Sequence, residues 1–173
     1  MKKMNKKGFT LVELLAVIVI LALIMGIAIV SMSGVLNSAK ESTMRETAAS
    51  IISGVRNNLV LNNKLVTGDY YFDRSMLEKG GEDSPFGGKY KYGAYSDSKI
   101  GNVTVDKVST GVYKVKDESS ISCSKDAISF VHISSSNGTY EYKICLSDGE
   151  NYMFDTESNL LSGNAKLNPS DEN

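Results

Sequence analysis

The chain contains no tryptophan, a single histidine, two cysteines and two prolines in 173 residues. Each scarcity narrows what the protein does. Histidine is the usual metal ligand and neutral-pH proton carrier, and His132 has no second histidine to share either task. No nucleophile-elbow, Walker or dinucleotide glycine pattern accompanies it. The chain therefore reads as a non-enzyme that needs no cofactor. Basic charge is scarce outside the first residues. Lys2, Lys3, Lys6 and Lys7 precede Gly8, and from Phe9 onward 15 basic groups face 20 acidic ones, a formal charge of −5. That body lacks the dense Lys/Arg stripe that neutralises phosphates, so direct nucleic-acid binding is not indicated. Lys114 and Lys116 read as the solvent face of a strand.

Apolar residues are abundant but unevenly placed. From Leu14 to Val30 run 17 apolar or small residues without a charge, whereas Lys64 to Gly111 is rich in Gly, Asp, Ser and Tyr. A basic start before an apolar run has the outline of a cleaved secretory signal, yet nothing like A-x-A with a mature start stands near Val30 to Gly34. A single-pass anchor fits by length. Phe9 to Val30 is 22 residues, about 33 Å of helix against a hydrocarbon core of about 30 Å. The positive-inside rule then puts the four lysines in the cytoplasm and the polar body outside. Glu13 is what a plain anchor leaves unexplained. An ionisable group costs about 2.5–3.5 kcal/mol at a membrane helix centre and less near an end, and no Lys, Arg or His follows Glu13 before Lys40. Its partner must come from elsewhere.

The run Lys7-Gly8-Phe9-Thr10-Leu11-Val12-Glu13-Leu14 resembles the processing and assembly motif of type IV prepilins and the related pseudopilins. The resemblance implies that a dedicated prepilin peptidase/methyltransferase cuts the Gly8–Phe9 bond on the cytoplasmic side and N-methylates Phe9. It also implies that Glu13 docks the subunit into a growing fibre, its carboxylate pairing with the new ammonium on a neighbouring Phe9. Cleavage would create the cation that the sequence lacks. The motif is specific because it joins a basic leader, a Gly-Phe cut site, a carboxylate at fixed spacing and an uninterrupted span. It covers the first thirty or so residues, and beyond them only the architecture is alike. Many pilins carry a helix-bending proline where this chain has Val30; here Gly26 and Gly34 are the weak points, each costing about 1 kcal/mol relative to Ala.

The expected fold is α+β, the pilin fold: a long N-terminal α-helix, membrane-spanning in its first half and amphipathic in its second, packed on a C-terminal antiparallel β-sheet. Residues 1–8 form the cleaved leader, 9–35 the hydrophobic half-helix and 36–63 the amphipathic half. Residues 64–101 form a Gly/Tyr-rich loop, 102–163 the sheet head and 164–173 a polar tail, frayed or draped over the sheet. Leu36, Ala39, Ala48, Ile51, Ile52, Val55 and Leu59 recur at helical steps, with Glu41 and Arg45 on the wet side. The loop holds at most one short helix or strand, its five tyrosines (Tyr70, Tyr71, Tyr90, Tyr92 and Tyr95) pinning it onto the sheet rather than forming an adhesive surface. Strand signals cover Asn102–Val108, Gly111–Val115, Ala127–Ile133, Thr139–Leu146 and Asn151–Asp155. Tight reversals at Asn137-Gly138 and Asp148-Gly149 make the last three a meander, with Tyr140, Tyr142, Ile144 and Leu146 on one face and Glu141, Lys143 and Cys145 on a wetter one. His132 alternates with Phe130 and Ile128 as a structural residue.

Cys123 and Cys145 lie on the oxidising side of this topology. They form a disulfide or remain two free thiols. A bond across the 21 residues between them is worth about 3 kcal/mol on the chain-entropy relation. If Asn137-Gly138 is a two-residue turn, Cys145 faces Phe130, and bonding requires the chain before Ala127 to bend back. Asp148, Glu150, Asp155 and Glu157 carry hard oxygen ligands of the kind some pseudopilins use for calcium, but a full loop signature is missing, so they read as solvated turn acids and no metal is assigned. The leading expectation is a structural subunit of an extracellular type IV pilus, a membrane precursor that an assembly motor and inner-membrane platform draw into a homopolymer, with minor pilins as further partners. The alternatives are a pseudopilin or minor pilin of a secretion or DNA-uptake machine, and a membrane-anchored binding head that does not polymerise.

Overall fold

The computed structural model describes residues 10–77, 82–117 and 121–167 and, within them, every side chain except those of 28–33. Its compact units divide between Ala39 and Lys40. Helix α1 runs Leu11–Leu61. In the first unit, Leu11, Val12 and the apolar side chains from Leu14 to Ile27 are exposed. The expected span over Phe9–Val30 extends past these described side chains at both ends. Among the described residues no helix is long and apolar enough to cross a membrane.

The second unit holds the core. Met44, Ala48, Ile51, Ile52, Val55 and Leu59 of α1 are buried, each contributing about 1.5–3 kcal/mol by leaving water except the smaller Ala48. Leu36 and Ala39, expected in this stripe, are exposed, and Met44 occupies a core position instead. The helix ends in a Schellman turn. Asn63 adopts φ 52°, its N–H donating to Val60 O at 3.0 Å while Lys64 N–H reaches Leu59 O at 2.9 Å.

Among the described residues eight antiparallel strands follow: β1 (Gly68–Phe72), β2 (Tyr95–Ser96), β3 (Lys99–Ile100), β4 (Val103–Ser109), β5 (Val112–Val115), β6 (Phe130–Ser136), β7 (Thr139–Ser147) and β8 (Tyr152–Thr156). Their spatial order is β2-β3-β4-β5-β1-β6-β7-β8. A 3₁₀ turn (Arg74–Met76) follows β1, and a short helix α2 (Glu157–Ser162) follows β8. The architecture is the expected α+β one, an N-terminal helix packed on a C-terminal antiparallel sheet. The segment 64–101 differs from the expected loop, since its described residues contribute three strands, and β1 lies inside the sheet between β5 and β6. Every residue of β1 is buried, so Gly68-Asp69-Tyr70-Tyr71-Phe72 carries no polar alternation to mark it.

Because β5 and β6 flank β1, the chain joining them must cross one face of the sheet. The α1 stripe covers the inner face, with Tyr70, Phe72, Val131, Ile133, Tyr142, Ile144 and Leu146. The crossover takes the outer face, where Ile121, Cys123, Ala127 and Ile128 pack on Tyr71, Tyr113, Val115, Phe130 and Cys145. Cys145 is therefore buried, whereas Glu141 and Lys143 on the same face of β7 stay exposed and half-buried, so that face is the wetter one only toward the β6–β7 turn. The expected strand at Ala127–Ile133 begins only at Phe130, because 127–129 belong to this strap. Asn137 (φ 52°) and Gly138 (φ 78°) make the two-residue β6–β7 turn, whereas β7 and β8 are joined through four residues, Asp148 to Asn151. Ala165 is buried and Leu167 bridges to Met153, so this part of the tail lies on the sheet.

Candidate processing and assembly site

Gly8 and Phe9, the expected processing site and methylated residue, lie outside the described residues. Glu13 stands in the first turn of α1. Its Oε2 accepts the Thr10 backbone N–H at 2.8 Å and the Thr10 hydroxyl at 2.9 Å, while Thr10 Oγ1 accepts the Glu13 N–H at 3.3 Å. This reciprocal arrangement is a capping box, which satisfies donors that every helix start leaves unpaired. The spacing Thr10-x-x-Glu13 carries that signal in the sequence, although Glu13 reads first as a carboxylate without a partner.

Cys123 and Cys145 are joined by a disulfide, Cα atoms 5.6 Å apart. Cys145 pairs in register with Phe130, so the strap must fold back to reach it. A turn closed by Ala127 N–H to Ser124 O (3.1 Å) performs this. Lys125 O accepts the Ser147 hydroxyl and the Gly149 N–H, and Ser129 Oγ accepts the Ser147 N–H at 3.0 Å. The strap is thus bonded to β7 on both sides of its turn.

Of the other polar residues singled out by sequence, His132, Asp148, Asp155, Glu157 and Lys116 are engaged structurally. His132 Nδ1 lies 2.7 Å from Oδ1 of buried Asp69, its cross-strand neighbour. Asp148 Oδ1 accepts the N–H groups of Glu150 and Asn151, and Oδ2 accepts the Ser84 hydroxyl. Asp155 Oδ1 accepts Thr156 N–H and Asn159 Nδ2, and Glu157 Oε2 pairs with Arg56 Nη1 at 2.8 Å. These acids shape turns and a helix start. Among the described residues no cluster of His, Cys, Asp or Glu is arranged to hold a metal ion. Lys116 pairs with Asp106 at 2.9 Å. Tyr70, Tyr71 and Tyr90 are buried and pin their segment, while Tyr95 remains exposed. Burial raises the pKa of Tyr71 and Tyr90 above the ordinary phenol value; burial followed by the bond to Asp73 does the same for Tyr113.

The first unit thus presents an exposed apolar helical surface from Leu14 to Ile27. Residues 3–29 match the prokaryotic N-terminal methylation motif, the signature of type IV pilins and pseudopilins. The motif points to a structural protein of the type IV pilin-like kind, and it implies prepilin-peptidase processing, a membrane-anchored precursor and assembly into pilus-like filaments. No curated protein and no solved structure matches the chain.

Proposed function

We propose that the chain is a structural subunit of an extracellular type IV pilus. The precursor sits in the cytoplasmic membrane with its lysine-rich leader inside and its head outside. The prepilin peptidase cuts at Gly8–Phe9 and N-methylates Phe9, and the assembly motor and platform move the subunit into a homopolymer. The observation that carries this reading is the methylation motif over residues 3–29, and the exposed apolar surface from Leu14 to Ile27 supports it. In lipid that surface gains little from helix association, so close packing supplies specificity and a motor supplies work. Glu13 of one subunit pairs with the Phe9 amine of the next, a contact that does not close on itself and so builds a filament. Mass spectrometry of sheared surface filaments tests the reading: the first residue is N-methylated Phe9, and Glu13→Ala is still cleaved but yields few fibres. An intact Met1 in surface material, or normal fibre yield from Glu13→Ala, overturns it.

A further inference from the structure

Tyr95 and Tyr113 stack with ring centroids 4.7 Å apart and planes 16° from parallel. Together with Tyr92, Asp73, Arg74 and Ser75 they line an open cleft of about 690 Å³. Its polar groups are fixed by one another. The hydroxyl of buried Tyr113 donates to Asp73 Oδ2 at 3.1 Å, and Asp73 Oδ1 accepts the Ser75 N–H and hydroxyl at 2.8 and 2.6 Å. Glu82 Oε1 accepts both Arg74 Nε at 2.7 Å and the Tyr92 hydroxyl at 2.9 Å. Among the described residues this framework leaves Tyr95, 39% exposed, and the guanidinium end of Arg74, whose side chain is 71% exposed, accessible to a ligand. Tyr95 is carried on β2, which pairs with β3 in a short hairpin.

A ligand for such a cleft needs a flat apolar face to lie on a tyrosine ring and a rim of groups that both accept from a guanidinium and donate to carboxylates. A pyranose ring has both, with C–H bonds on its faces and hydroxyls around its edge. The charges nearby, Arg74 and Lys89 against Asp73 and Glu82, cancel, so a polyanion gains no attraction there. Groups held in place before binding lose little entropy when a ligand arrives. We propose that this cleft binds a neutral saccharide chain, with Tyr95 as the stacking platform and Arg74 as the hydroxyl-directed donor. The site lies within the head, and its test does not depend on whether the chain polymerises.

The full-length protein in a sugar-free zwitterionic detergent is titrated with cellotetraose, maltotetraose and tetraacetylchitotetraose, followed by saturation-transfer NMR and by tyrosine fluorescence, which no tryptophan obscures. At least one probe binds with a Kd of about 1 mM or tighter. Tyr95→Ala and Arg74→Ala each weaken it about tenfold, while Tyr95→Phe stays within about threefold. Tyr140→Ala, which removes an exposed tyrosine elsewhere on the sheet, leaves binding unchanged. Near-UV circular dichroism checks each fold; should Tyr95→Ala alter it, Arg74→Ala and Tyr95→Phe carry the comparison. Failure of all three probes to bind at about 10 mM, or binding undiminished in the alanine variants, overturns the proposal. So does tighter binding of oligothymidylate that is lost in Tyr95→Ala, which would assign the cleft to nucleic acid.

Discussion

Replacing Cys123 by serine opens the only covalent cross-link between the described segments and leaves the rest of the strap intact. Cys123 is partly exposed, whereas Cys145 is fully buried, so a serine at 123 removes the bond without emptying the core. The two cysteines are 22 positions apart. The chain-entropy relation for a loop of that length gives about 11 cal/mol/K, or about 3.4 kcal/mol at 25 °C. For a chain of this size that corresponds to a fall in Tm of about 7–14 °C. The loss has a location as well as a size. Lys125, in the turn of the strap, has its carbonyl tied to the Ser147 hydroxyl and the Gly149 N–H. With the bond gone, Ile121, Ala127 and Ile128 retain only part of their contact with the outer sheet face, and local opening exposes the Lys125 peptide to trypsin. Urea unfolding of the full-length protein in detergent, paired with limited tryptic digestion, measures both. A loss below about 1 kcal/mol together with retained resistance at Lys125 would refute the reasoning, because the noncovalent bonds alone would then hold the strap.

Asn63→Ala places a side chain that disfavours φ 52° at the Schellman turn and lowers stability by about 1 kcal/mol, whereas Asn63→Gly does not; urea midpoints of the two variants check this. Thr10→Val removes the hydroxyl that caps the Glu13 N–H, and amide hydrogen exchange at Glu13 quickens about fivefold, the equivalent of about 1 kcal/mol; unchanged exchange counts against the capping box. In the folded chain Tyr71, Tyr90 and Tyr113 hold their protons at higher pH than a free phenol. Their contribution to stability is complete below about pH 10 and is lost as pH rises through the raised folded values. A phenolate absorbance titration checks this, and full ionisation of all tyrosines near pH 10 with the fold intact contradicts it.

The elements most legible in the sequence are those with one wet face. The second half of α1 declares itself by Ala48, Ile52, Val55 and Leu59, and the β6–β7 hairpin by Asn137-Gly138 between alternating runs. Strand β1 was hidden because both of its faces are covered, and two-residue β2 and β3 are too short for periodicity to register. Helix α2 depends on Thr156 capping Asn159 N–H and on Gly163 in the left-handed region, signals that six residues without a strong apolar stripe do not advertise. The strap illustrates a different limit. Cysteine spacing permits a bond and strand register argues against it, and only the topology, which forces a crossover of the outer face, reconciles them. The cleft around Tyr95 joins residues 73–75, 92–95 and 113, distant in sequence and drawn together only once β1 enters the middle of the sheet.

Glu13 meets two demands through different oxygens. Both Thr10 bonds converge on Oε2, and among the described residues Oε1 accepts none. Capping the helix and pairing with an amine therefore do not compete for the same atom. The capping box also fixes the direction of the carboxylate, so an incoming ammonium loses less rotamer entropy on pairing than it would with a freely rotating glutamate. An apolar residue at this position would suit the surrounding leucines and valines but would leave the first turn with donors that neither lipid nor a packed bundle can satisfy. On the proposed reading, the nitrogen of Phe9 is a neutral amide until the Gly8–Phe9 bond is cut, and it becomes a cation only afterwards. The precursor thus carries a carboxylate that is satisfied as a cap and incomplete as an ion pair, and cleavage supplies the missing charge at the moment assembly requires it.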